Sequence, residues 1–267
     1  MVVTPSGRYI TLSYESEHKL RVYHIETDGS STLLHTFGGE GSGPKRFNKP
    51  FKMCLASNGN LLVCDCNNDR VQELGRPGEK EPVHVRDIHV RAASTIARHG
   101  DMIAVGTCNH KRASDTQPVV LLSYATGAVI RSFCMLEGCS AFSMGSTEGL
   151  RFTSDGRFIL VHEGARKYVS KFRVSDGALE DLICEGQVSD AFGSHSDIRI
   201  ARSGDVIVAD CAAHRICVFS ADGRTLLRTW GTRGFEDGQP RRCYPTALAL
   251  VDDKLFVLDC WGVQVFE

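Results

Sequence analysis

Residues 60–74, "NLLVCDCNNDRVQEL", set cysteines on either side of an aspartate and an arginine five positions beyond it: Cys64, Asp65, Cys66 and Arg70. Two thiolates this close could bind a soft metal or exchange with a disulfide, and a carboxylate beside a guanidinium could move a proton. The same Asp-Cys pair returns as Asp210-Cys211 and Asp259-Cys260, with Arg215 five residues after Asp210. Catalysis needs one such set, whereas a repeated fold needs one in every unit. Asp65, Arg70, Asp210, Arg215 and Asp259 are therefore expected to be structural: carboxylates that end buried strands, accept N–H bonds from the following turn and pair with a returning arginine.

The cysteines are expected to pack as small apolar residues in strings such as "FKMCLA" and "RICVF". Eleven is an odd number, and the chain contains no Cys-x-x-Cys, so neither a disulfide framework nor a zinc site is expected. The ten histidines offer no ligand pair at metal spacing; His162 stands where other units carry the aspartate, and His18, His110, His195 and His214 fall in loops. No catalytic residue, metal ligand, cofactor or small-molecule substrate is assigned. The glycine-rich stretches 38–43 and 145–149 lack the Gly-Lys-Ser/Thr of a phosphate loop.

Composition narrows the classes further. With 31 Lys and Arg against 32 Asp and Glu, the formal charge of −1 provides no global field toward nucleic acid or an anionic membrane. The start, "MVVTPSGRYI", lacks the pattern of a secretory leader, and no stretch approaches the ~20 apolar residues of a membrane span. The expectation is a soluble, cytoplasmic chain with reduced thiols and no membrane partner.

The elements that position these residues emerge from internal repetition. "SNGNLLVCDCNNDRVQEL" (57–74) aligns without gaps to "RSGDVIVADCAAHRICVF" (202–219), and "VDDKLFVLDCWGVQVF" (251–266) repeats it with a shorter loop. Weaker copies put the turn positions at Gly7, Gly59, Gly100, Gly156, Gly204 and Asp253, spaced 52, 41, 56, 48 and 49 residues apart. Each unit consists of short Val-, Ile-, Leu- and Phe-rich runs between Gly-, Asp- and Asn-rich turns, with no sustained helical stripe. Four strands per unit of this length is the pattern of a propeller blade. The fold expected is all-β, a six-bladed β-propeller of four-stranded antiparallel blades, forming a single domain over 1–267 with blades over about 1–37, 38–88, 89–134, 135–186, 187–231 and 232–267. Only "MVV" precedes the first turn, and the last unit stops after its third strand at "VQVFE". Either side chains and inner strands close the ring, or the chain is part of a longer protein, which is the expectation preferred.

Two connecting segments also match, "FGGEGSGPKRFNKPFKMCLA" (37–56) and "WGTRGFEDGQPRRCYPTALAL" (230–250). Aromatic-Gly, a Gly-spaced loop, Phe-Asn-x-Pro, a strand ending in Asp and then Asn-x-Arg-Val together resemble the NHL-repeat family, strongly in units two and five and well in six. The resemblance implies a six-bladed propeller that often follows other modules. Some members bind single-stranded RNA on a basic face; the family includes an amidating lyase, and related propellers include calcium-dependent lactonases with an axial metal. On this chain the expected function is a non-catalytic scaffold for a protein partner. Its partner face is expected at Lys45, Arg46, Lys49, Asn67 and Asn68, with Arg233, Phe235, Arg241, Arg242 and Trp261. RNA on that basic face is the first alternative, diluted by Glu40, Glu236 and Asp237. A metal-dependent lyase or lactonase-like hydrolase is the second, and no ligand set for it can be chosen.

Overall fold

The computed structural model describes residues 1–108, 119–133, 147–163, 168–185, 196–231, 244–260 and 262–266. The protein is an all-β, six-bladed β-propeller, each blade an antiparallel sheet. The chain forms two compact units, Met1–Ser132 and Phe133–Glu267.

In the first unit, blade one comprises β1 (Val2–Val3), β2 (Tyr9–Tyr14), β3 (Lys19–Ile25) and β4 (Ser31–Gly38). Blade two holds β5 (Pro50–Leu55), β6 (Leu61–Asp65), β7 (Arg70–Leu74) and β8 (His84–His89), and blade three β9 (Ala93–His99), β10 (Met102–Thr107), β11 (Val119–Ser123) and β12 (Val129–Phe133). In the second unit, blade four holds β13 (Thr147–Phe152), β14 (Phe158–Glu163), β15 (Val169–Arg173) and β16 (Leu179–Ile183). Blade five holds β17 (Asp197–Ile200), β18 (Val206–Asp210), β19 (Arg215–Phe219) and β20 (Leu226–Trp230), and blade six β21 (Ala247–Val251), β22 (Lys254–Asp259) and β23 (Gly262–Phe266). Strands run in sequence order across each sheet, and among the described residues the sixth sheet has three. Innermost strand β1 is two residues long, as "MVV" implied.

Burial explains the sequence of each strand. The middle strands "LLVCD" and "RVQEL" are buried at every position, because both faces of the sheet meet neighbouring blades and alternation gives way to continuous apolar runs. Outer strands such as β20, "LLRTW", stay largely open to water. The core is accordingly a series of layers between blades. Leu62, Val71 and Ile88 of blade two meet Ile96, Ile103 and Leu122 of blade three; Leu160 and Ile183 of blade four meet Ile198, Val208 and Phe219 of blade five. First strands lie side by side, β5 with β9 in one unit and β17 with both β13 and β21 in the other. That order sends the second strand's end and the connection between blades to the same edge of the sheet. Among the described residues no helix is long and apolar enough to cross a membrane.

Candidate functional site

Strand β6 ends at Asp65, a single 3-10 turn follows over Cys66–Asn68, and Asp69 takes a left-handed conformation at φ 55°. That turn returns the chain so that Arg70 pairs directly with Asp65 in the ladder. The Asp65 carboxylate is fully buried. Its Oδ2 accepts from Arg70 Nε at 2.8 Å, Asn68 Nδ2 at 2.9 Å and Gln72 Nε2 at 3.2 Å, while Oδ1 accepts from the Asn48 amide at 2.7 Å. Expectation placed that amide bond in the following turn; the structure directs it to the loop that enters the blade.

Arg70 and Gln72 hold the same loop by its carbonyls. Arg70 Nη2 donates to Gly43 O at 3.1 Å and Arg46 O at 2.9 Å, and Gln72 Nε2 donates to Arg46 O at 2.6 Å. Gln72 Oε1 in turn accepts from the Lys45 amide at 3.0 Å. Asn68 Nδ2 also donates to Gly41 O at 2.8 Å, and Asn67 Nδ2 to Asn48 Oδ1 at 3.0 Å. Arg70 Nη1 reaches back to Asp87 Oδ2 on β8, at 2.8 Å. A buried charge is tolerable only when paired and fully hydrogen-bonded, and here the backbone of loop 39–49 supplies the partners that Asn68, Gln72 and Asp87 do not.

The aromatic-Gly motif has its own geometric cause. Gly38 sits at φ +112°, and a Cβ there would meet His18 O at 2.7 Å. The second copy is the same: at Gly231, φ +97°, a Cβ would meet His214 O at 2.7 Å. His18 and His214 are the left-handed residues, both at φ 58°, that turn the chain back into the third strand. Phe47, the motif's later aromatic, is completely buried and packs with Leu20, Phe37 and Met53, anchoring the loop by ~2–3 kcal/mol of apolar burial.

The other blades show how far this clamp is general. In blade five Arg215 Nε donates to Asp210 Oδ2 at 3.0 Å, and the Ala213 amide to Asp210 Oδ1 at 3.1 Å. Asp259 accepts from the Gly262 amide at 3.1 Å and from Gln264 Nε2 at 2.7 Å, so the counterpart of Gln72 stands in where no arginine exists. His162 pairs with Val169 in the ladder, in the place of Asp65 with Arg70, and is fully buried. Gly106 takes that place in blade three, opposite Val119. In blade one Tyr14 precedes the turn, with the Arg21 guanidinium 3.9 Å from its ring centre and its hydroxyl 3.1 Å from that of Tyr23.

Lys45, Arg46, Lys49, Asn67 and Asn68 lie together on and beside loop 39–49, on the face where β6 ends. Their charges are locally answered. Lys45 Nζ pairs with Glu81, Lys49 Nζ lies 3.6 Å from Glu15, and Arg46 Nη1 donates to Gly38 O at 2.9 Å. Arg46 and Lys49 are exposed. Arg233, Phe235, Arg241, Arg242 and Trp261, and the loop histidines His110 and His195, lie outside the described residues. Among the described residues no three His, Cys, Asp or Glu side chains are grouped to hold a metal.

Sequence reasoning missed Gln72, Asp87, Asn48 and Glu73. Glu73 Oε1 accepts from Tyr124 Oη at 2.6 Å and Asn60 Nδ2 at 2.7 Å, and Oε2 from Arg86 Nε at 2.7 Å. Burial pulls this carboxyl upward, but those hydrogen bonds outweigh it and hold its pKa below the ordinary value. For Gln72 and Glu73 the one available signal was polarity inside a run buried at every position; Asp87 and Asn48 carry no such mark. Between blades five and six a cleft of about 410 Å³ is bordered by Ile207, Trp230, Leu250, Leu255 and Phe266, with an Arg202–Asp252 ion pair at 3.0 Å beside it.

No protein-family pattern matches the chain, and no curated protein matches it in sequence. Among solved structures it is similar to hydrazine synthase of Kuenenia stuttgartiensis, with a TM-score of 0.65 at 12% identity, over 100% of this chain and 94% of that one. At that identity the likeness concerns the fold alone.

Proposed function

We propose that the chain is an NHL-type propeller of the cytoplasm that serves as a non-catalytic platform for a protein partner, bound on the face carrying loop 39–49 and the turn Cys66–Asn68. One observation carries the reading. The buried Asp65–Arg70 pair, the group with most chemical potential in the site, directs its hydrogen bonds to the Asn48 amide and the Gly43 and Arg46 carbonyls. It holds a loop in shape, with Asp65 fully buried and Arg70 nearly so. What the loop and the adjoining turn present, Arg46, Lys49 and Asn67, is a mixed polar surface with neighbouring acids, suited to a partner of mixed charge. Hydrazine synthase is an enzyme by its name, and a resemblance in fold does not transfer that chemistry.

The test compares partner capture by the wild type with capture by an Arg46→Glu, Lys49→Glu variant and by Arg202→Glu, which alters the other end of the strands. Support is a protein lost only with the first variant, retained after ribonuclease treatment, and rebinding when both components are purified. Binding of single-stranded oligouridylate that weakens ~10³-fold or more between about 50 and 200 mM salt would instead identify phosphate contacts and replace the protein reading with RNA. Equal capture by all three proteins overturns the assignment of the face.

A further inference from the structure

Cys66 and Cys108 come from adjacent blades, and their Sγ atoms are 2.7 Å apart. That is inside the ~3.5–4.0 Å at which even carbon atoms pack, and roughly 0.65 Å from the ~2.05 Å of a covalent S–S bond. Both residues are almost wholly buried, at 1% and 2% exposure, in a small apolar cluster with Ala92 and Phe51. Backbone bonds fix the approach from each side. The Cys66 amide donates to Lys49 O and its carbonyl accepts from the Asp69 amide, each at 3.3 Å, while the Cys108 amide donates to Ala92 O at 2.9 Å. Asp69 Oδ1 accepts from the Ala92 amide at 2.9 Å, so the two cysteine-bearing segments share one connection. Cys64, two residues away, is the competitor. It is as deeply buried, in the apolar layer between blades two and three, so burial does not separate the candidates; the 2.7 Å approach of the Cys66 sulfur to that of Cys108 is what singles out Cys66.

We propose that Cys66 and Cys108 form an oxidative modification site, converted by a peroxide into a disulfide that staples blade two to blade three beneath the Asn67–Asn68 turn. One thiolate attacks a peroxide oxygen; an S–O bond forms, the O–O bond breaks, and with hydrogen peroxide the hydroxide released takes a proton to become water. The second thiol then attacks the sulfenic sulfur, the S–S bond forms, the S–O bond breaks, and a second water leaves with the remaining proton. Two thiols and one peroxide thus give one disulfide and two waters, with two electrons passing to oxygen. The bridge would span residues 42 apart and remove chain entropy from the unfolded state. This site is independent of the proposed partner.

The experiment treats reduced full-length protein with hydrogen peroxide, blocks remaining thiols with N-ethylmaleimide, and maps peptides after cleavage with trypsin and at Asp65. The expected result is a Cys66-to-Cys108 peptide two hydrogens lighter than its parts, present in Cys64→Ser and absent in Cys66→Ser. A midpoint of thermal unfolding raised by about 5 °C or more, and restored by a dithiol reductant, should accompany it. Recovery of both cysteines as maleimide adducts after exposed Cys260 has been oxidised overturns the proposal, as does a link through Cys64. Because mapping the wild type decides between these results, it holds even if a serine variant fails to fold.

Discussion

Arg70 Nε lies 2.8 Å from Asp65 Oδ2, and between them the two side chains hold loop 39–49 at three backbone points: the Asn48 amide, the Gly43 carbonyl and the Arg46 carbonyl. A pair buried this deeply acts as a loop clamp, and its energetics should follow that role.

Removing one partner leaves the other charged and unanswered in the interior. Asp65→Ala should cost about 3–5 kcal/mol in urea unfolding. Glu81→Ala, which breaks the solvent-exposed pair with Lys45, should cost less than about 1 kcal/mol. Equal losses from the two would contradict the distinction.

Gly38 combines a positive φ with the His18 carbonyl at 2.7 Å from any Cβ, whereas Gly7, at φ +71°, has open space around it. Gly7→Ala should therefore cost about 1–2 kcal/mol from conformation alone, and Gly38→Ala clearly more, since backbone must move. Paired denaturation curves measure the difference.

Glu73 provides a pH test. Its folded pKa lies below the ordinary 4.5 because hydrogen bonds from Tyr124, Asn60 and Arg86 outweigh burial. The stability it contributes is fully present above that ordinary value and is lost as pH falls through the lower folded value. Wild type should be more stable than Glu73→Gln at pH 7, and the gap should narrow progressively as pH falls below the ordinary 4.5 and through the lower folded value. A gap unchanged on acidification would remove the carboxylate from the account.

The legible part of this fold was whatever repeats. Asp65, Arg70, Asp210 and Arg215 were readable as a unit because copies align, and the turn glycines fixed the order of the strands. The aromatic-Gly motif was readable as a pattern, but its cause, the carbonyl of His18 or His214 against Gly38 or Gly231, exists only once the third strand has turned back. Gln72 and Asp87 complete the clamp from positions the repeat marks weakly: Gln72 is matched by Gln264 in blade six but by Cys217 in blade five, and Asp87 lies on an outer strand. Tyr14, Gly106 and His162 replace the aspartate by different chemistry in blades one, three and four. The thiol contact escaped notice for the same reason: Cys66 has repeat partners in Cys211 and Cys260, and its spatial partner Cys108 is none of them.

The partner face makes the opposite demand on its residues. Lys49 is exposed and only 3.6 Å from Glu15, so Lys49→Ala should leave stability within ~0.5 kcal/mol of wild type while weakening partner capture. A loss above about 2 kcal/mol would make Lys49 part of the scaffold and remove it from the face.

The most direct measurement is amide hydrogen exchange across residues 39–49 in wild type and Asp65→Asn. Loss of a charged acceptor at the Asn48 amide should speed exchange there and through the loop by ~10- to 100-fold, while the buried ladder of β6 and β7 keeps its protection. Unchanged protection at Asn48, or uniform loss across the whole blade, would contradict a clamp that specifically shapes this loop.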